Sequence, residues 1–193
     1  MKFVSLQAMN QSHLAKQTAT CTIVGNRITV NGQALFEQAS DSDFAVFAKA
    51  AFKNLNLEYP KFFRMDKMCK LGFLAVEYLL VGNQSFRIDE STAIVLCSSS
   101  GSMDSDLTHF QNMEQPSPAI FVYTLPNIVA GEIAIRHGIK GETACFICER
   151  NHDSIAQKYA ENLLANSMAN SCIAGWVDYT KEDYLARICI LSR

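Results

Sequence analysis

The stretch LPNIVAGEIAIRHGIKGETACFIC, residues 125–148, combines a helix signal with a strand signal. Apolar residues recur at helical spacing over residues 129–134, with Pro126 suited to the first turn and Gly138 just past the last one. Residues 143–148 (TACFIC) form a continuous apolar run, which is typical of a strand covered on both faces. The stretch therefore predicts a helix that leads directly into a buried strand.

Working outward, apolar residues recur at helical spacing in three more segments, and each segment has a polar cap candidate or a glycine at one end. Residues 98–118 are polar and are interpreted as a loop. The additional helices are predicted over residues 44–55 after Asp41 or Ser42, over residues 65–79 before Gly82, and from Ser154 onwards.

Alternation of these helices with β-rich runs indicates a layered α/β fold. Residues 18–31 predict a hairpin that turns at Gly25-Asn26. The remaining strands are predicted over residues 3–8, 92–97, 143–148, 172–177 and 185–191, giving a mixed five-stranded sheet flanked by helices, with the hairpin as an N-terminal extra. No linker divides the chain, so residues 1–193 are interpreted as a single domain.

Composition excludes several classes of function. With 49% hydrophobic residues the chain is not disordered, and a net charge of -2 offers no basic surface for nucleic acid. Nowhere does an apolar run reach the length of a membrane span or a signal peptide, so we expect a cytoplasmic protein. The seven cysteines lie mostly within apolar runs and are interpreted as small hydrophobic residues. Cys145 and Cys148 form a C-x-x-C without a second ligand pair, so no metal and no cofactor is expected.

Residues 125–141 (LPNIVAGEIAIRHGIKG) resemble the segment that precedes the catalytic strand of β-ketoacyl-acyl-carrier-protein synthases. There a proline-asparagine, a small-residue pair and an isoleucine-arginine-x-glycine run are typical. Residues 64–66, residues 94–101 and Ala174-Gly175 resemble three further family segments. The resemblance implies the N-terminal half of a thiolase-type fold, with the order β-α-β-α-β-α-β-β.

The resemblance also implies that the chemistry of the family is missing. Aligning Gly141 and Ala174-Gly175 with their family counterparts, without gaps, leaves Arg150 at the position of the nucleophilic cysteine. An arginine stays protonated and cannot attack a thioester. Cys148, two residues earlier, is the alternative nucleophile if the strand is shorter and the helix starts earlier.

Four polar residues are predicted to surround the former nucleophile position: Asn127, Arg150, Asn151 and His152. Together they would form a pocket for an anion such as a carboxylate or a phosphopantetheine phosphate. The alternative is that Arg150 is an ordinary surface or ion-paired residue.

Three functional hypotheses follow from the resemblance. The first is a non-catalytic accessory subunit of fatty-acid or polyketide synthesis, similar to a chain length factor. The second is a residual acyl-transfer or condensing enzyme that uses Cys148, and the third is a binding module for a small anion at Arg150. We expect a homo-oligomer or a heteromer with a full-length ketosynthase, associating through residues 143–148, with acyl carrier protein as a further candidate partner.

Overall fold

One mixed sheet organises the computed structural model, which describes residues 15–39, 41–115, 117–149, 154–181 and 183–193. The strand order is β3-β2-β1-β7-β6-β4-β5. Strand β4 is parallel to both β5 and β6, and every other pairing is antiparallel. The strands are β1 Lys16–Val24, β2 Arg27–Val30, β3 Gln33–Glu37, β4 Ala93–Ser98, β5 Thr143–Ile147, β6 Ser171–Thr180 and β7 Asp183–Ser192.

The α/β class is confirmed, but the predicted number of five strands is wrong, because the described sheet has seven. The predicted hairpin is not an appendage: β1 pairs with β7 in the main sheet. A third strand, β3, then follows β2 through a turn at Asn31 and Gly32, both with positive φ. The strand predicted over residues 3–8 lies outside the described residues.

The helices begin and end close to the predicted positions, with three corrections. The first helix is capped by Asp43, whose Oδ1 accepts a hydrogen bond from the Ala45 amide at 2.7 Å, and not by Asp41 or Ser42. Pro126 precedes the cap residue of its helix, and residues 98–118 contain a helix instead of a loop. The helices are α1 Phe44–Asn54, α2 Lys67–Val81, α3 Met103–Gln111, α4 Pro118–Phe121, α5 Ile128–His137 and α6 Ser154–Ala165.

Helices cover both faces of β4, as the apolar run of that strand predicts. Ile94 and Leu96 belong to the larger core, which α1, α2 and α5 close, whereas Val95 belongs to a second core under α6. Phe52 and Phe62 stack in the larger core with ring centroids 4.2 Å apart. Burying one such side chain contributes about 1.5–3 kcal/mol. The apolar side chains of the two cores are therefore a main source of the stability of the fold.

The fold requires glycine at two positions, Gly138 and Gly175. Gly138 ends α5 in the left-handed conformation with φ 67°, which confirms its predicted place just past the helix. Gly175 lies where β6 and β7 approach closely, and a Cβ there would lie 2.0 Å from the carbonyl oxygen of Arg187. The Ala174-Gly175 pair therefore marks a point where the two strands leave no room for a side chain.

Candidate functional site

The strands β5, β4 and β6 run parallel, so their carboxyl ends meet at one edge of the sheet. In open α/β sheets this is the edge where ligands bind. We call the residues that follow or end these strands the carboxyl edge: residues 98–101, residues 148–149 and residues 178–180.

Asp178 is the central polar group of the carboxyl edge and is buried, with 4% of its surface exposed. Its Oδ1 accepts hydrogen bonds from the Ser98 hydroxyl at 2.5 Å and from the Ser100 amide and hydroxyl at 2.8 and 2.7 Å. Ser99 donates from its amide to Oδ1 at 3.0 Å and from its hydroxyl to Oδ2 at 2.7 Å. The carboxylate thus fixes the backbone that leaves β4.

These donors also determine the charge state of Asp178. Burial by itself raises the pKa of this carboxyl, but the hydrogen bonds from Ser98, Ser100 and Ser99 outweigh burial and hold the pKa below 3.8. Asp178 is therefore ionised at neutral pH. The amides of Ser99 and Ser100 are engaged by this carboxylate, so the serine-rich turn does not present them to a phosphate.

Three cysteines converge on the same edge. Burial and the neighbouring Cys148 raise the pKa of the Cys97 thiol to about 12, and burial likewise raises that of Cys145 to about 11. The Cys145 thiol donates to the carbonyl oxygen of Pro126 at 3.4 Å. Cys148 is half-buried, and its amide donates to the carbonyl oxygen of Ser98 at 3.0 Å, so its backbone continues the pairing of β5 with β4. Cys97 and Cys145 are therefore protonated and poorly nucleophilic at neutral pH.

Only one residue of the predicted anion pocket, Asn127, lies within the described residues. Arg150, Asn151 and His152 lie outside the described residues, so the pocket and the substitution of the nucleophile stay predictions. Asn127 is described: it is the cap residue of α5, is exposed, and makes no side-chain capping hydrogen bond.

A second cluster that sequence reasoning missed joins Pro60–Arg64, a short 3₁₀ turn before α2, to α5. The ammonium group of Lys61 lies 2.7 Å from Glu132 Oε2, and the Tyr123 hydroxyl donates to Glu132 Oε1 at 3.2 Å. Nearby, Cys69 occupies the first turn of α2, where a helix dipole favours a thiolate. Burial and then the Asp66 carboxylate nevertheless raise the pKa of Cys69 well above 9.0, so this thiol is inert.

The carboxyl edge also borders a cavity of about 790 Å³. Phe44, Tyr179 and Tyr184 form its aromatic wall, with the Phe44 ring 5.1 and 4.7 Å from those of the two tyrosines. Lys67 lies over the Tyr179 ring at 5.1 Å and pairs with Asp104 at 3.4 Å. No sequence signal indicates this cavity, because its lining comes from four separate turns and helix ends.

The described ranges contain neither a metal-binding cluster nor a single membrane-spanning helix. No three His, Cys, Asp or Glu side chains in them are grouped to hold a metal ion. None of the described helices alone is long and apolar enough to cross a membrane. The segments Pro118–Thr124 and Ile128–His137 reach that length and apolar character only together, and they are bent by 103° relative to each other.

The architecture of the sheet and its helices has close counterparts among solved structures. The ishigamide ketosynthase/chain length factor matches with a TM-score of 0.69 at 16% identity, over 93% of this chain and 62% of that chain. The chain has a ketosynthase-like fold. A type II polyketide synthase acyl-carrier protein in complex with its ketosynthase bound to the hexaketide matches with a TM-score of 0.66 at 10% identity, again over 93% and 62%.

A third ketosynthase-like match is a ketosynthase in complex with its chain length factor from Xenorhabdus doucetiae, with a TM-score of 0.59 at 18% identity, over 93% of this chain and 79% of that one. The chain thus spans 62% of the length of each of the first two structures. No protein-family model and no curated protein matches the sequence. The resemblance predicted from residues 125–141 is confirmed for the fold, and at these identities the likeness concerns the fold alone.

Proposed function

We propose that this chain is a non-catalytic, ketosynthase-like subunit that assists a full-length ketosynthase in fatty-acid or polyketide synthesis, as a chain length factor does. The fold matches support this role, because two of these solved structures are described as a ketosynthase with a chain length factor. The described cysteines form no disulfide bond with one another, which fits a reducing compartment such as the cytosol.

The observation that carries the proposal is the open edge of β5. This strand pairs with β4 on one side, and no other described strand pairs with its second side. The sequence TACFI carries no charge, proline or bulge, which are the devices that usually protect an edge strand. In ketosynthases the corresponding strand pairs across the dimer axis, so residues 143–148 are the proposed site of association.

The lack of catalysis rests on the predicted register that leaves Arg150 at the nucleophile position. The raised pKa values of Cys97 and Cys145 support it, because neither thiol is a ready substitute. Cys148 favours the alternative of a residual acyl-transfer enzyme, since it is half-buried at the carboxyl edge. Incubation with an acyl-carrier-protein thioester and intact-mass analysis separates the two: an acyl adduct that Cys148→Ser abolishes would establish the enzyme.

Pairing through β5 is tested by a substitution that removes one outward amide. The Glu142 carbonyl accepts from the Ile94 amide, and the Cys148 amide donates to the Ser98 carbonyl. The backbone groups of even-numbered residues therefore bond to β4, and the amides of odd-numbered residues such as Ile147 point to the open edge. Ile147→Pro should therefore abolish co-purification with a co-expressed full-length ketosynthase while the chain stays folded. Ile147→Thr keeps the amide and should retain most of the binding. Equal recovery of both variants would refute pairing through the edge.

A further inference from the structure

The two cysteines of the C-x-x-C motif, Cys145 and Cys148, lie on opposite faces of the sheet. Successive side chains of a strand alternate between its faces, so residues three apart point in opposite directions. The Cys145 thiol donates to the carbonyl oxygen of Pro126, which precedes α5. The Cys148 side chain packs instead against the smaller core beneath α6. The motif therefore does not bring its own two thiols together.

The structure gives Cys148 a different thiol neighbour, Cys97 on β4. Cys97 lies opposite Phe146 in the parallel pairing of β4 with β5, and Cys148 follows Phe146 by two residues. Cys97 and Cys148 therefore face the same smaller core. A side-chain hydrogen bond joins the two cysteines. Because the pair comes from two separate strands, no local motif in the sequence indicates it.

The two thiols differ in their access to solvent. Cys97 is completely buried, whereas Cys148 is half-buried at the carboxyl edge. A soluble oxidant therefore reaches the Cys148 sulfur first. Peroxides convert accessible thiols to sulfenic acids, and a sulfenic acid beside a second thiol condenses with it to a disulfide.

We propose that Cys148 and Cys97 form a hydroperoxide-sensitive pair that closes to a reversible disulfide at the end of β5. In the first step the peroxide O–O bond breaks, and one oxygen is transferred to the Cys148 sulfur, giving a sulfenic acid. In the second step the Cys97 sulfur attacks the Cys148 sulfur, the S–O bond breaks, and the hydroxyl leaves as water with the Cys97 proton. Two thiols thus lose two hydrogens and two electrons, and the hydroperoxide is reduced.

The second step should be slower than the first. Burial raises the pKa of the Cys97 thiol to about 12, so this thiol is protonated at neutral pH and attacks slowly. The sulfenic acid on Cys148 should therefore accumulate long enough to be trapped. This order of events distinguishes the pair from a dithiol in which both thiols react with the oxidant alike.

Closing the bond moves the end of β5. Neighbouring strands lie about 4.8 Å apart and two residues advance about 6.6 Å, so the two Cα atoms are separated by roughly 8 Å. A disulfide requires less than about 7 Å. The Cys148 amide donates to the Ser98 carbonyl at 3.0 Å, so the shift acts on the last bond between β4 and the chain that leaves β5. Disulfides that distort the native backbone are readily reduced, which makes the oxidation reversible.

A second cysteine pair provides an internal comparison within the same core. Cys172 on β6 pairs with Leu191, and Cys189 on β7 pairs with Ala174, so these two cysteines are also diagonal neighbours on one face. Both are buried, at 0% and 4% exposure. Because neither is accessible, this pair should stay reduced under conditions that oxidise Cys148.

The test treats the purified full-length chain with hydrogen peroxide at neutral pH and maps its cysteines by mass spectrometry. The intact mass should fall by about 2 Da, with a cross-link between the peptides that contain Cys97 and Cys148, and dithiothreitol should reverse both changes. Dimedone added with the peroxide should label Cys148 at early times. Cys97→Ser should remove the cross-link and let Cys148 proceed to the sulfinic acid, a gain of about 32 Da. Cys172→Ala is the matched control and should keep the cross-link, with circular dichroism melts to establish that each variant is folded.

The wild-type chain alone can overturn the proposal. A Cys145–Cys148 cross-link would contradict the separation of these thiols by the sheet. Conversion of Cys148 to the sulfinic acid without any cross-link would show that Cys97 does not reach it. A Cys172–Cys189 cross-link at the same peroxide concentration would contradict the role of exposure. None of these measurements involves a ketosynthase, so their outcome is separate from that of the proposed function.

Discussion

Replacing Asp178 by asparagine should destabilise the protein strongly while changing almost no volume. Five hydrogen bonds reach this carboxylate, and each loses the extra strength of a charged acceptor, while the new amide NH₂ faces other donors. At roughly 1 kcal/mol per bond, with some relaxation of the serine turn, we expect a loss of about 3 kcal/mol in the free energy of unfolding. With a urea m value of about 2 kcal/mol/M, the midpoint should fall by about 1.5 M.

The pH dependence provides a second readout of the same carboxylate. Because the folded pKa of Asp178 lies below 3.8, ionised Asp178 stabilises the fold above the pKa of the unfolded chain and loses this effect as pH falls through the folded pKa. The difference between wild type and Asp178→Asn should therefore be largest at pH 7 and shrink below about pH 4. Glu114→Gln, which removes an exposed carboxylate, should leave the midpoint unchanged. Equal urea midpoints for wild type and Asp178→Asn at pH 7, or a difference that does not shrink in acid, would refute this account.

Three further predictions concern packing and thiol reactivity. Gly175→Ala should lower the free energy of unfolding in urea by more than about 4 kcal/mol, because its Cβ would clash with β7. Gly131→Ala, whose Cβ would make only an ordinary contact with Ile128 at 3.9 Å, should stabilise α5 by about 0.5–1 kcal/mol. Phe62→Ala should lower the free energy of unfolding by about 3–5 kcal/mol in the same assay, because it removes a buried ring that stacks on Phe52 and leaves a cavity in the larger core. In mass-spectrometric alkylation of the folded protein at pH 8, half-buried Cys148 should react before buried Cys69, and the reverse order would contradict the burial that raises the pKa of Cys69.

How much of the fold could be predicted depended on whether each signal was local. The apolar run of β4 and the helical spacing of α2 and α5 are continuous in sequence, so both element type and approximate limits were correct. The pairing of β1 with β7 joins residues about 170 positions apart and leaves no local trace, which explains the wrong strand number. Helix α3 was missed because its serine, threonine and two aspartates resemble a loop and its large apolar residues do not face the core.

The candidate site was less predictable for the same reason. Asp178 and the serines it binds are 78–80 residues apart, and only the parallel register of β4 and β6 brings them together. The cavity beside Tyr179 likewise assembles from separate turns. By contrast, Cys148 was identified because a single strand signal located it at the end of β5. The pocket around Arg150 stays a prediction.

The groups that a reaction would need are largely committed to structure in the described part of the carboxyl edge. Asp178 engages the hydroxyls of three consecutive serines, and Cys97 and Cys145 remain protonated at neutral pH. Strand β5, in contrast, has a second edge that pairs with no described strand, and Ile147 at its end is 57% exposed. Covering exposed apolar side chains with a partner would be favourable, because burying apolar area contributes about 25 cal/mol per Å². This arrangement supports the proposed function, which acts through contact with another protein.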